Sequence, residues 1–147
     1  MTITSKRFLF VAAALVALSL AVFGAMHVLM TPPDDLDLSR TRTSVEGLYE
    51  ISIEPEAGNS RQNELHSWVL TVKTKDGTGV ADAAVTVDGG MPQHGHGLPT
   101  SPQVTSHLGD GRYLVEGVRF NMSGWWEFGF AISSPAGDDE IVFNLVF

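Results

Sequence analysis

The run "FLFVAAALVALSLAVFGAMHVLM", Phe8–Met30, holds 23 residues without a formal charge, and only Ser19 and His27 carry clearly polar side chains. As a helix it rises roughly 35 Å at about 1.5 Å per residue, enough to cross a hydrocarbon layer with some tilt. Lys6 and Arg7 precede it, while Asp34, Asp35 and Asp37 follow. The positive-inside rule therefore puts the N-terminus in the cytoplasm and everything after Met30 on the far side. The alternative is a cleaved secretory signal, with small residues around Ser19-Leu20-Ala21. The apolar run continues past that point and exceeds the usual length of such a segment. Both readings export the remainder. We expect an uncleaved anchor whose partner is the lipid bilayer, through residues 8–30, with His27 as an interfacial residue.

The exported part is acidic. All 17 Asp and Glu residues lie after Met30, against seven Lys or Arg. Such an excess disfavours nucleic acid and anionic lipid surfaces as partners. The chain has no cysteine, which excludes disulfides, thiolate metal sites, lipidation through an N-terminal cysteine and a cysteine nucleophile.

Residues 31–45, "TPPDDLDLSRTRTSV", are polar, carry a double proline and have no sustained period, so they read as a linker. Beyond them the period is near two. "HSWVLTVKT" puts Trp68, Leu70 and Val72 on one face, and "ADAAVTVDG" does the same for Ala83, Val85 and Val87. "EGLYEISIEP", "QVTSHLGDGRYLVEGVRF", "GWWEFGFAIS" and "DEIVFNLVF" supply further short strands. Six or seven strands in about 100 residues predict an all-β fold, an immunoglobulin-like antiparallel β-sandwich, preceded by one transmembrane helix. The domain organisation is then 1–30 cytoplasmic stub and anchor, 31–45 linker and 46–147 sandwich. "DGRY", Asp110–Tyr113, resembles the tyrosine corner of such sandwiches.

Strand direction sorts the chemistry-bearing side chains. "KDGTG", residues 75–79, reads as a turn joining the second and third strands. Pairing Lys75 with Val80 across it sets His66 opposite Gly89. The chain then passes "GGMPQHGHGLPTSP", residues 89–102, descends, turns at 109–111 and climbs through Tyr113–Phe120. Tyr113 and Val115 share one parity, Val118, Phe120 and Met122 the other, so Gly117 is the natural place for a bulge. His66, Met91, His94, His96 and Met122 thus converge on one end of the sandwich, and His107 falls at the other.

Imidazole nitrogens suit copper and zinc, and methionine thioethers favour cuprous ion. His94 and His96 project to one side when the chain is extended; Gly95 and Gly97 allow a tight wrap, and Pro92 and Pro99 stiffen it. The expected metal ligands are His94, His96, Met91, His66 and Met122, with copper as the cofactor. Each residue also has a plainer reading. His-Gly-His occurs in ordinary polar loops, His66 could be a buried histidine bonded to a backbone carbonyl, and Met91 and Met122 could cap the core. Trp125 and Trp126 must face opposite sides, one in the core and the other free to cover the site or touch a partner. No G-x-S-x-G elbow, H-E-x-x-H pair or phosphate-cradling glycine loop is present, so catalysis is not expected.

"LHSWVLTVKTKDGTGVADAAVTVDGGMPQHGHGLPTSPQV" followed by "LGDGRYLVEGVRFNMSGWWEF" resembles the FixH/YtkA-like domains over about 65 residues, Leu65–Phe128, with Met-Pro-x-His-x-His-Gly as the most specific part. The resemblance implies a small bacterial inner-membrane protein with one helix and a periplasmic immunoglobulin-like domain, loosely associated with copper handling and respiratory oxidase assembly. It marks Met91, His94 and His96 as the loop of interest, with Asn121, Met122, Trp125 and Trp126 alongside. The expected function is a membrane-anchored copper carrier or assembly factor, with a copper-trafficking or respiratory-complex protein as partner. The alternatives are a metal-free interaction subunit of such a complex and a small-molecule pocket lined by the tryptophans.

Overall fold

The computed structural model describes residues 3–147; Met1 and Thr2, the start of the stub expected to be cytoplasmic, lie outside them. The chain divides after Pro33 into a helical unit and a β unit. Helix α1, Ile3–Met30, contains one span, Arg7–Val28, long and apolar enough to cross a membrane. Its apolar side chains point outward all round, with Phe8, Phe10, Leu20 and Phe23 each more than 60% exposed within the chain. An apolar surface on every side, at this length, makes the helix a candidate membrane span. Ser19 Oγ donates to Leu15 O at 2.9 Å, which satisfies the hydroxyl inside the helix, as hydrocarbon requires. Thr31 caps the other end, its N–H and hydroxyl both donating to His27 O, and Pro32 and Pro33 prevent continuation.

The β unit has nine strands: β1 (Thr41–Thr43), β2 (Tyr49–Pro55), β3 (Leu65–Thr74), β4 (Ala84–Met91), β5 (His96–Gly97), β6 (Gln103–Gly109), β7 (Arg112–Arg119), β8 (Trp125–Ser134) and β9 (Gly137–Val146). They form two antiparallel sheets, β1-β2-β3-β7-β6 and β5-β4-β8-β9, the expected immunoglobulin-like sandwich. Alternation decides what goes inside. Trp126, Phe128, Phe130 and Ile132 of β8 are buried and the residues between them face out. Trp68, Trp126, Tyr49, Phe120, Phe128 and Phe143 are the largest fully buried side chains. Each contributes roughly 2–3 kcal/mol by leaving water.

Two expectations need correction. The second and third predicted strands, β3 and β4, are not paired with each other. β3 lies between β2 and β7, and β4 between β5 and β8, so His66 is opposite Val118 and not Gly89. Only one bridge, Lys73↔Gly79, follows the expected turn. The chain then crosses to the other sheet, and the Tyr113 hydroxyl holds the crossing by donating to Val80 O and accepting from Ala83 N. The tyrosine therefore does bond to backbone, but at this crossing.

The segment read as linker also differs. It contributes β1, and the compact unit begins at Asp34. Arg42 pairs with Asp37 at 3.1 Å and donates to Val142 O, while Asn144 Nδ2 donates to Asp37 O at 3.1 Å. These bonds fasten residues 37–42 across the edge where the two sheets meet.

The bulge at Gly117 is present. His66 pairs with Val118 and Trp68 with Val115, so two residues of β7 oppose one of β3, and Gly117 has φ +79°. Tyr113, Val115, Val118 and Phe120 are consequently all buried despite their change of parity.

Candidate metal site at one end of the sandwich

The "MPQHGHG" loop is a tight hairpin between β4 and β5. His94 N–H and Gly95 N–H both donate to Met91 O, at 3.0 and 2.9 Å, and Gly95 takes φ +66°, the left-handed turn that closes a four-residue connection. Past the turn, Met91 pairs with His96 and Gly90 with Gly97, and Leu98 N–H donates to Gly89 O. The strands meet closely at Gly90, where a Cβ would lie 2.5 Å from His96 O. Glycine is required there by contact.

This hairpin brings the two loop imidazoles together. Their ring centres are 5.9 Å apart and both side chains are exposed. Two imidazoles binding one ion, each at about 2 Å, have ring centres up to roughly 6 Å apart. His96 Nδ1 lies 3.1 Å from Gly97 O. A carbonyl can only accept, so Nδ1 carries the proton and the Nε2 lone pair is available. Backbone anchoring of the second ring nitrogen is how metal-binding histidines are commonly oriented.

Below the pair lies Trp126, fully buried, with its ring 5.8 Å from that of His96. Trp126 Nε1 donates to Met122 O at 3.0 Å, which fixes the indole and the 122–124 turn together. Met91 is 1% exposed and points inward; a Cβ on Gly124 would lie 3.0 Å from its methyl carbon. Met122 is at the rim, 37% exposed. His96 and the Met122 carbonyl therefore both meet the Trp126 indole, and Met91 packs against the 122–124 turn beside it. Sequence reasoning left open which tryptophan would lie there. The parity that Trp126 shares with Phe128 and Phe130 decides it, whereas Trp125 lies on the outer face and donates to Asn144 Oδ1 at 2.9 Å.

His66 reaches the same end but not the same place. Contacts run in series from His96 to Trp126, from Trp126 to Phe120 at 5.3 Å, and from Phe120 to His66 at 6.3 Å. Two aromatic rings thus stand between His66 and the loop pair. Its Nε2 accepts from Arg61 N–H at 2.9 Å, so the lone pair a metal would need is in use. His66 is half-buried and its backbone partner is an amide N–H, not the carbonyl expected; the nitrogen donors brought together are His94 and His96, with Met91 opposite His96 in register. Among the described residues no third histidine, aspartate or glutamate completes a metal cluster. His107 lies at the opposite end, exposed, against Tyr113.

A family model described as YtkA-like matches residues 43–130, from the end of β1 to the middle of β8. The chain belongs to the YtkA-like family. No curated protein and no solved structure matches it. As a YtkA-like protein with one N-terminal apolar helix, it fits a membrane-anchored extracytoplasmic module.

Proposed function

We propose that this YtkA-like protein is a copper carrier or assembly factor of the bacterial inner membrane, with its sandwich in the periplasm and the metal held between His94 and His96. The observation that carries this reading is the exposed imidazole pair, 5.9 Å between centres, with His96 Nδ1 tied to its own backbone. Bound copper would supply a transferable soft cation. The chain's own residues hold and release it. His94 and His96 donate nitrogen, Gly95 sets the distance between them, and Met91 and Met122 offer thioether sulfur on the Trp126 side. Two imidazoles without a third strong protein ligand suit hand-over better than storage, because a recipient can complete the coordination shell.

Titrating cuprous ion into the full chain in detergent micelles should give one site per chain, accompanied by quenching of tryptophan fluorescence. His94→Ala with His96→Ala should abolish both signals, and His66→Ala should leave both intact. Stoichiometric binding that survives the double substitution would overturn the assignment.

A further inference from the structure

The outer face of the β4-β8-β9 sheet is carved by a trough of about 580 Å³ that begins at Pro92, Gly95 and His96 and crosses all three strands. Register rows form its floor: Gly90–Glu127, Asp88–Gly129–Val142 and Thr86–Ala131–Glu140. The trough exists because its middle column is small beyond Glu127. Gly129 and Ala131 alternate with the buried Phe128, Phe130 and Ile132, so they face outward.

Gly129 has no internal reason to be glycine. Its φ is not in the left-handed region, and a Cβ there would meet only ordinary contacts, 3.7 Å from Asp88 O and 3.7 Å from a Val142 methyl. Gly89 and Gly90 differ, since a Cβ at either would fall 2.5 Å from a backbone oxygen. A glycine in the middle of a strand that is paired on both sides weakens the sheet. It recurs where another backbone has to come close. The charge is one-sided as well: Asp88, Glu127 and Glu140 line the trough, and no lysine or arginine does.

From these observations we infer that the trough is a docking surface for an extended, lysine- or arginine-bearing segment of a partner protein. Its backbone crosses over Gly129, and its cationic side chains meet Asp88, Glu127 and Glu140. The inference stands on the trough and does not need the metal. Where both hold, the docked segment ends at the β4–β5 hairpin that carries His96.

The test uses the full chain in nanodiscs of uncharged lipid and a labelled ten-residue peptide of alternating lysine and valine. Fluorescence anisotropy at low salt should show saturable binding. Gly129→Val fills the trough with a residue that strands favour; it should weaken binding about tenfold or more with no fall in melting temperature. Glu127→Gln with Glu140→Gln should weaken it in a salt-dependent way, which keeps the test valid should the valine variant misfold. His94→Ala with His96→Ala should bind the peptide as the parent does, which separates this inference from the metal assignment. Unchanged binding by both trough variants, or equal binding of a glutamate–valine peptide, would overturn it.

Discussion

Asp139 is the buried charge on which the start of the sandwich depends. It is 7% exposed and accepts from Ser44 Oγ at 2.6 Å, Glu46 N–H at 2.9 Å, Leu48 N–H at 3.0 Å and Glu140 N–H at 2.8 Å. Burial works to raise its pKa, but the four donors outweigh burial and hold it at about 2, below the ordinary 3.8. Because the folded value is the lower one, the unfolded chain takes up the proton first on acidification. The stability contributed is therefore whole above about pH 4 and drains away as pH falls toward about 2. Asp139→Asn turns an amide toward these donors and should cost on the order of 2 kcal/mol at neutral pH. It should also flatten the acid limb of a plot of urea midpoint against pH; an unchanged limb would show that another carboxylate controls it. None of this is visible in "DEIVFNLVF", which reads only as a short strand beginning at Asp139. The partner hydroxyl, Ser44, is 95 positions away, and period-two reasoning carries no information at that range. The loop histidines were legible for the opposite reason. Their partners are local, within a few residues of "MPQHGHG".

Strand ends show most directly how backbone geometry separates one glycine from another. The β6–β7 hairpin turns through Gly109, Asp110 and Gly111, all with positive φ. Around Gly109 a Cβ would meet nothing within 4 Å, so alanine there pays only the left-handed backbone term, about 1 kcal/mol. At Gly111 a Cβ would lie 2.2 Å from Val72 O and 2.7 Å from Val80 N, inside the crossing from β3 to β4. Gly111→Ala should therefore cost about 3 kcal/mol or more. Melting curves of the two variants side by side would decide it, and equal losses would mean that the crossing is looser than these contacts require. The same crossing explains what was legible at this scale. Parity identified the faces of β3, β4 and β7, and the phase change between Val115 and Val118 located the Gly117 bulge. Parity does not say which strand lies beside which. A short "KDGTG" turn suits a hairpin and a crossing equally well, and the deciding contact, Tyr113 to Val80, is 33 positions long-range. β1 and β5 are too short, at three and two residues, to show any period.

For the molecule as a whole, the anchor and the sandwich obey different solvents, and this gives a test of orientation. The helix exposes Phe8, Leu15, Leu18 and Phe23, which water would reject, whereas the sandwich buries its large aromatic side chains and carries the acidic residues. An arginine near the middle of a spanning helix costs about 2.5–3.5 kcal/mol on insertion scales. Two of them, at Leu15 and Leu18, should release the chain from the membrane fraction or prevent its insertion. The absence of cysteine makes the orientation directly measurable. A single cysteine at Ser101, exposed beyond the histidine hairpin, should react in intact cells with a maleimide that passes the outer membrane but not the inner. A cysteine at Thr4, ahead of Lys6 and Arg7, should react only after the inner membrane is opened. The reverse pattern would place the sandwich in the cytoplasm. There the imidazole pair would compete with a thiol-rich pool for copper, and the carrier reading would lose the oxidising compartment that gives exposed His and Met ligands, without thiolates, their advantage.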